Sequence, residues 1–261
     1  MRLLAPPFVA AALWLSGTAV ACRGEEAAPA APSLEAYAGF DYGGRSASLT
    51  TSAVWSPFVP VDQPGLRFKL DGLANIYGGT NASVFSNGFT AAGLKSFGDI
   101  MCGIQLNYGP VWLKLYGGAG YEVEAMLFSQ AGRAVQRQAW GGAAAAEFYW
   151  RIGDRVWTSG AASWLQPDGT VSLYSRAAYE FYRDGADLRV SAGSETGFAA
   201  GNANEFSLGR ALNRYNGFSR GGALINLRYG AHDITLSGGM ARASDERAWS
   251  PYATVSYGKQ F

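Results

Sequence analysis

From residue 34 onward, apolar side chains return at every second position, with small or polar residues between them. In the stretch 66–76, Leu66, Phe68, Leu70, Gly72, Ala74 and Ile76 share one face, while Arg67, Lys69, Asp71 and Asn75 share the other. A period of two marks a strand whose faces meet different surroundings; a helix would repeat near 3.6. The alternation persists for about ten residues, the length at which a tilted strand crosses a bilayer. Strands of soluble proteins average about six.

The same pattern predicts twelve strands, over residues 34–42, 47–55, 66–77, 100–108, 111–122, 140–150, 156–164, 171–181, 188–198, 223–229, 234–240 and 253–261. The count is even, as in single-chain bacterial barrels. With both termini at the inner end, residues 109–110, 153–154, 183–185 and 230–233 are predicted short inner turns, each carrying Gly beside Pro, Asp or Ala. Residues 78–96, 123–138, 199–217 and 242–249 are predicted longer outer loops. Gly43-Gly44 and Pro167-Asp168-Gly169 are short on the outer side, and residues 56–65, with three prolines, make a longer inner turn. The expected fold is all-β, an antiparallel transmembrane β-barrel over residues 33–261. A periplasmic β-sandwich would also alternate, but with shorter strands.

The chain ends in Phe261, with Ala253, Val255 and Tyr257 at alternate positions before it. That resembles the terminal signal of outer-membrane barrels, although Lys259 stands where an aromatic is usual. It predicts a last strand that closes on the first, because lipid offers no water to an open sheet edge. At the other end, Arg2, an apolar run from Leu3 and Ala19-Val20-Ala21 form a predicted signal peptide over 1–21. Residues 22–32 read as a flexible lead-in. Cys22 follows the expected cleavage point, so acylation there and ordinary cleavage both remain open. The implied location is the cell outer membrane of a Gram-negative bacterium, with membrane lipids as surroundings and a monomer as the assembly.

Composition narrows the functions. The chain has 35 Gly among 261 residues, 14% aromatics and 16% charged residues. Disordered chains are charge-rich and aromatic-poor, and Gly disfavours helix interiors. Without Arg2 the basic and acidic side chains balance at 20 each, from totals of 21 and 20. A charge-balanced chain gives no electrostatic case for nucleic acid, which needs a basic stripe. Two Cys and one His argue against a disulfide scaffold, a metal site or a His-based triad. Gly117-Gly118-Ala119-Gly120 lacks the helix that a nucleotide loop needs, and no cofactor is expected. His232 falls in a predicted inner turn without a nearby Ser, and reads as a solvated turn residue.

By parity, Arg67, Lys69, Asp71, Lys114, Glu122, Glu147, Arg176, Glu180, Arg189, Glu195, Arg220 and Arg228 point inward. So do Tyr37, Tyr77, Trp112, Tyr116, Tyr149, Trp157, Tyr174 and Tyr182. Mixed charge fits either an ion-pair network across the lumen or a hydrated pore. Twelve strands leave a lumen between the filled and open cases. Inward aromatics suit the flat C–H faces of sugar rings, and also suit girdle and lumen packing. The candidate ligand contacts in the lumen are Trp112, Tyr116, Tyr149, Arg176 and Glu195; no catalytic residue is assigned. A lipid-modifying barrel enzyme would have to draw on carboxylates such as Glu122 or Glu195, and a general small-solute porin is the other alternative.

The order of motifs adds a resemblance. YAGFDYG at 37–43, PGLRFKLDG at 64–72, GDIMCGIQ at 98–105, LYGGAGYE at 115–122, GSETGF at 193–198, FSLGR at 206–210, GGA at 221–223 and LSGG at 236–239 run in series. This series is similar to the cellulose biosynthesis protein BcsS family, over roughly residues 36–261. The segment 123–138 departs from it by lacking an Asp-Pro-rich loop. The resemblance implies an exported, non-enzymatic accessory of bacterial cellulose (exopolysaccharide) production, acting as a porin-like pore or as a scaffold. It would hold partners of the cellulose-synthase machinery through the outer loops 78–96 and 199–217. The resemblance carries over no catalytic residues.

Overall fold

The structure is a computed structural model that describes residues 33–43, 46–80, 90–128, 133–166, 169–185, 187–201, 216–243 and 248–261. The predicted signal peptide, the lead-in with Cys22, and the centres of the outer loops at 81–89 and 202–215 lie outside the described residues.

The strands are β1 (Leu34–Gly43), β2 (Ser46–Trp55), β3 (Gly65–Thr80), β4 (Thr90–Tyr108), β5 (Val111–Phe128), β6 (Arg133–Ile152), β7 (Val156–Leu165), β8 (Thr170–Asp184), β9 (Leu188–Gly201), β10 (Asn216–Tyr229), β11 (His232–Ala243) and β12 (Ser250–Gln260). Each pairs antiparallel with its neighbours in sequence, and β12 closes on β1. The seam is tight: Ser33 N–H donates to Phe261 O at 2.7 Å, and Phe261 N–H to Leu34 O at 2.7 Å. Closure leaves no edge whose backbone polar groups would meet lipid. The inner turns hold Gly109 at φ 57° and Gly230 at φ 55°, a left-handed conformation that Gly adopts without a Cβ clash.

The outer face is apolar and exposed, with Leu49, Phe68, Ile100, Leu115, Phe148, Leu173, Ile225 and Val255 among its residues. Aromatics rim the belt, with Tyr42, Trp140 and Trp164 at the outer end and Trp55, Tyr108, Trp150, Tyr229 and Tyr257 at the inner end. Trp140 and Trp150 lie ten residues apart on β6. At a strand rise of about 3.3 Å and a tilt of about 40°, that is about 25 Å of height, the apolar band of a membrane barrel. The protein is a membrane-embedded β-barrel.

Two expectations need correction. The predicted loops 78–96 and 123–138 are largely strand: β3 to β6 run 16, 19, 18 and 20 residues, against 10 each for β1, β2 and β7. Above Trp140 the outward positions of β6 are Gln138 and Gln136, both exposed. There the outer surface meets water, so the apolar alternation ends while the β5–β6 ladder continues to Phe128↔Arg133. Tyr182 is the second. A bulge between Glu180 and Tyr182 shifts the register, so that Glu180 pairs with Ser191 and Tyr182 with Val190. The extra residue inverts the parity, turning Tyr182 outward, 48% exposed. It brings Arg183 opposite Arg189 instead.

The barrel is not round. A Cβ on Gly103 would lie 2.0 Å from Leu115 O, and one on Gly118 2.1 Å from Ile100 O. On the far side, a Cβ on Gly222 would meet Gly238 O at 2.3 Å, and one on Gly239 would meet Gly221 O at 2.2 Å. These glycines allow sharp inward corners at β4/β5 and β10/β11, six strands apart around the ring of twelve. A third bend lies at Gly193, whose Cβ would be 2.0 Å from Ala177 O. Between the corners, the opposing walls come within side-chain reach.

Candidate functional site

The lumen is crossed by ion pairs. Lys69 on β3 sits 2.5 Å from Glu147 on β6 and 2.8 Å from Asp71. Lys114 on β5 reaches Glu35 on β1 at 3.1 Å. Arg220 on β10 reaches Asp41 on β1 at 2.7 Å. In a round twelve-stranded barrel, β1 and β5 would stand roughly 20 Å apart, farther than a lysine and a glutamate extend end to end. The corner glycines make these bonds possible by pressing the walls together.

Glu195 gathers two tyrosines and two arginines. It is 1% exposed. Tyr252 donates its hydroxyl proton to Oε1 at 2.9 Å, and Tyr174 donates to Oε2. Arg176 lies 3.4 Å from Oε2 and Arg220 3.8 Å from Oε1. Both guanidinium groups also lie over the Tyr174 ring, at 4.8 and 5.1 Å. A carboxylate removed from water needs such partners to offset its desolvation.

The inner mouth has two features. On one side the connection 56–64 curls under the wall and buries Val61 and Ser56. Fully buried Arg67 holds it, donating to Ser56 Oγ at 2.8 Å, to Pro60 O at 3.2 Å and to Gln63 O. Asn107 adds a bond to Asp62 O at 2.8 Å. On the other side is a recess, open to solvent, lined by Tyr149, Arg151, Trp157, Glu180, Arg189, Ser191, Asn226 and Arg228. Trp112, Tyr149 and Trp157 form a ladder there, with ring centroids 5.5 Å and 6.3 Å apart.

The predicted site residues therefore separate into three groups. Trp112 and Tyr149 meet at the inner mouth, and Trp157 extends their row. Arg176 and Glu195 meet at mid-height. Tyr116 joins neither group: it is buried with Met101, Ala143 and Leu165, with Lys69 Nζ 5.2 Å above its ring. Its neighbours fill the space that a sugar would need. Glu122 and Glu195 are both buried inside the wall, and Glu122 pairs with Lys95 at 3.4 Å, so neither faces lipid. The side chain of Tyr77 lies outside the described residues. His232 is the first residue of β11 rather than a turn residue, with Nδ1 2.7 Å from the Tyr257 hydroxyl. Among the described residues no cluster of three metal-ligating side chains occurs.

The sequence reading passed over Asp41 and Tyr252. Asp41 shares the polar parity of Tyr37 in the first strand. Tyr252 lies one position before the predicted last strand, two positions from Thr254 and on its inward parity.

No known family profile matches the chain, and no curated protein matches it. Solved structures similar in fold include the β domain of the Bordetella autotransporter BrkA, at 16% identity and a TM-score of 0.43, covering 88% of this chain and 100% of that one. The transport unit of the autotransporter AIDA-I from Escherichia coli is 8% identical, with a TM-score of 0.47 and 97% of each chain covered. The KdgM porin is 9% identical, with a TM-score of 0.39, covering 87% of this chain and 99% of that one.

Proposed function

We propose that this chain is a non-enzymatic outer-membrane accessory of bacterial cellulose production, a barrel whose lumen is latched at rest. The observation that carries the latch is the set of wall-to-wall ion pairs, Lys69–Glu147, Lys114–Glu35 and Arg220–Asp41. The connection 56–64, held under the inner mouth by Arg67, supports the same reading. The cellulose role rests on the motif series from residues 37–43 to 236–239, and the mouth aromatics Trp112, Tyr149 and Trp157 suit sugar rings.

Planar-bilayer conductance of the refolded protein, with and without cello-oligosaccharides, tests the latch. The native barrel is expected to be silent. The triple variant Glu35→Gln, Asp41→Asn, Glu147→Gln is expected to conduct, with cello-oligosaccharides blocking the current. Steady conductance of the native barrel, unaffected by the sugar, overturns this reading in favour of a general small-solute porin. Deleting the gene in its cellulose-producing host is expected to lower exported cellulose, and unchanged export overturns the cellulose role.

A further inference from the structure

The recess at the inner mouth carries more positive charge than its surroundings balance. Three arginines stand in one row across neighbouring strands: Arg183 on β8 is directly opposite Arg189 on β9, which is directly opposite Arg228 on β10. Like charges directly opposite one another destabilise a sheet, so such a row asks for counter-charge. The protein supplies part of it. Glu180 takes Arg183 through Oε1 and Arg151 through Oε2, the latter at 3.5 Å. Asp233 takes Arg228 at 3.1 Å through Oδ2, while its Oδ1 accepts from Asn226 at 2.6 Å. Both carboxylates are thus committed. Arg189, in the middle of the row, has no ion pair among the described residues, and its Nε is buried without a hydrogen-bond partner.

Aromatic rings stand on the same rim. Trp157 and Tyr149 lie near-parallel, 21° between planes, and both line the recess. Trp157 is held in place by its Nε1–H bond to Ser191 Oγ at 3.2 Å, and Ser191 neighbours Arg189 at alternate positions on β9. A fixed apolar plane therefore adjoins an unpaired guanidinium. A planar guanidinium pairs with carboxylate or phosphate through two parallel N–H donors.

We propose that this recess binds an acidic saccharide, a sugar ring bearing a carboxylate or phosphate, with Arg189 on the anion and Trp157 against the ring. The site concerns the inner mouth alone and does not depend on the latch; it shares Tyr149 and Trp157 with the cellulose reading but differs from it in requiring an anion, since cellulose is uncharged.

Isothermal titration calorimetry of the refolded full-length barrel in detergent tests it, with glucuronate, glucose 6-phosphate, glucose and inorganic phosphate as probes. Glucuronate or glucose 6-phosphate is expected to bind and glucose not to; the acid that binds more tightly identifies the anion. Added salt is expected to weaken binding by screening. Arg189→Gln is expected to weaken it roughly tenfold or more, the loss of a charge-assisted bond. Because Arg189 makes no ion pair, that variant is expected to keep the heat-modifiable gel migration of the folded barrel. Trp157→Leu is expected to weaken the sugar while leaving inorganic phosphate unchanged. No heat with either acidic sugar overturns the proposal. So do equal affinity for glucose, inorganic phosphate binding as tightly as the acidic sugars, or an Arg189→Gln variant that binds as before.

Discussion

Two levels of one lumen treat charge in opposite ways. At mid-height, Glu195 is sealed from water and accepts from two tyrosines while facing two arginines. At the inner mouth, Arg183, Arg189 and Arg228 stand side by side, and the middle one is unpaired among the described residues. The difference follows solvent. A buried charge without a partner costs several kcal/mol, whereas a charge beside the aqueous mouth keeps much of its hydration. At the mouth water helps to offset the unbalanced charge, and there it is free to meet a ligand.

The sharpest way to break this comparison is to remove the buried anion. Glu195→Leu leaves Arg176 and Arg220 facing each other without their shared carboxylate, and is expected to cost about 3–5 kcal/mol. Urea unfolding of the barrel in detergent measures this, and a loss no larger than that of a mouth variant would sink the distinction. The corner glycines extend the contrast to the backbone. In Gly222→Val the new Cβ would lie 2.3 Å from Gly238 O and 2.4 Å from the Tyr252 hydroxyl, and overpacking of this kind costs about 1–3 kcal/mol. Gly117→Val is the control, because a Cβ there meets nothing within 4 Å. If the two variants unfold at the same urea concentration, the corners are not tightly packed.

Smaller effects belong to the mouth and the protruding wall. Arg189→Gln relieves a like-charge row, so stability is expected to hold or rise by about 0.5 kcal/mol. Destabilisation beyond that in the same unfolding assay would mean that Arg189 is structural. Gln136→Ser, on the exposed outward face of β6 above Trp140, is expected to stay within about 0.5 kcal/mol of the native barrel. A larger change would place that part of the wall in lipid rather than in water.

Much of the barrel is legible because each strand reports its own surroundings. Leu66, Phe68 and Leu70 face lipid while Arg67, Lys69 and Asp71 face the lumen, and no distant residue is needed to see it. The reading failed where that local signal failed. Beyond Trp140 the outward positions of β6 turn polar at Gln138 and Gln136, so that strand loses its alternation and reads as a loop, although the β5–β6 ladder persists to Phe128↔Arg133. The bulge between Glu180 and Tyr182 leaves no mark in polarity, because an aromatic suits either face there. Of the candidate ligand contacts, Trp112 and Tyr149 do meet at the mouth, whereas Tyr116 lies packed under Lys69.

The sequence alone determined the all-β class, most strand positions, the inner turns and the inward parity of the charged residues. Those follow from a two-residue period and from turn chemistry, both local properties of the chain. Only the tertiary structure decided which charges meet. Asp41 and Arg220 are 179 residues apart, and Lys114 and Glu35 are 79 apart. Their pairing depends on where the wall bends, which is set by close approach between neighbouring strands at Gly103, Gly118, Gly222 and Gly239. The same closure leaves Arg189 between two arginines whose carboxylates are already committed, an imbalance that appears only once the strands stand side by side.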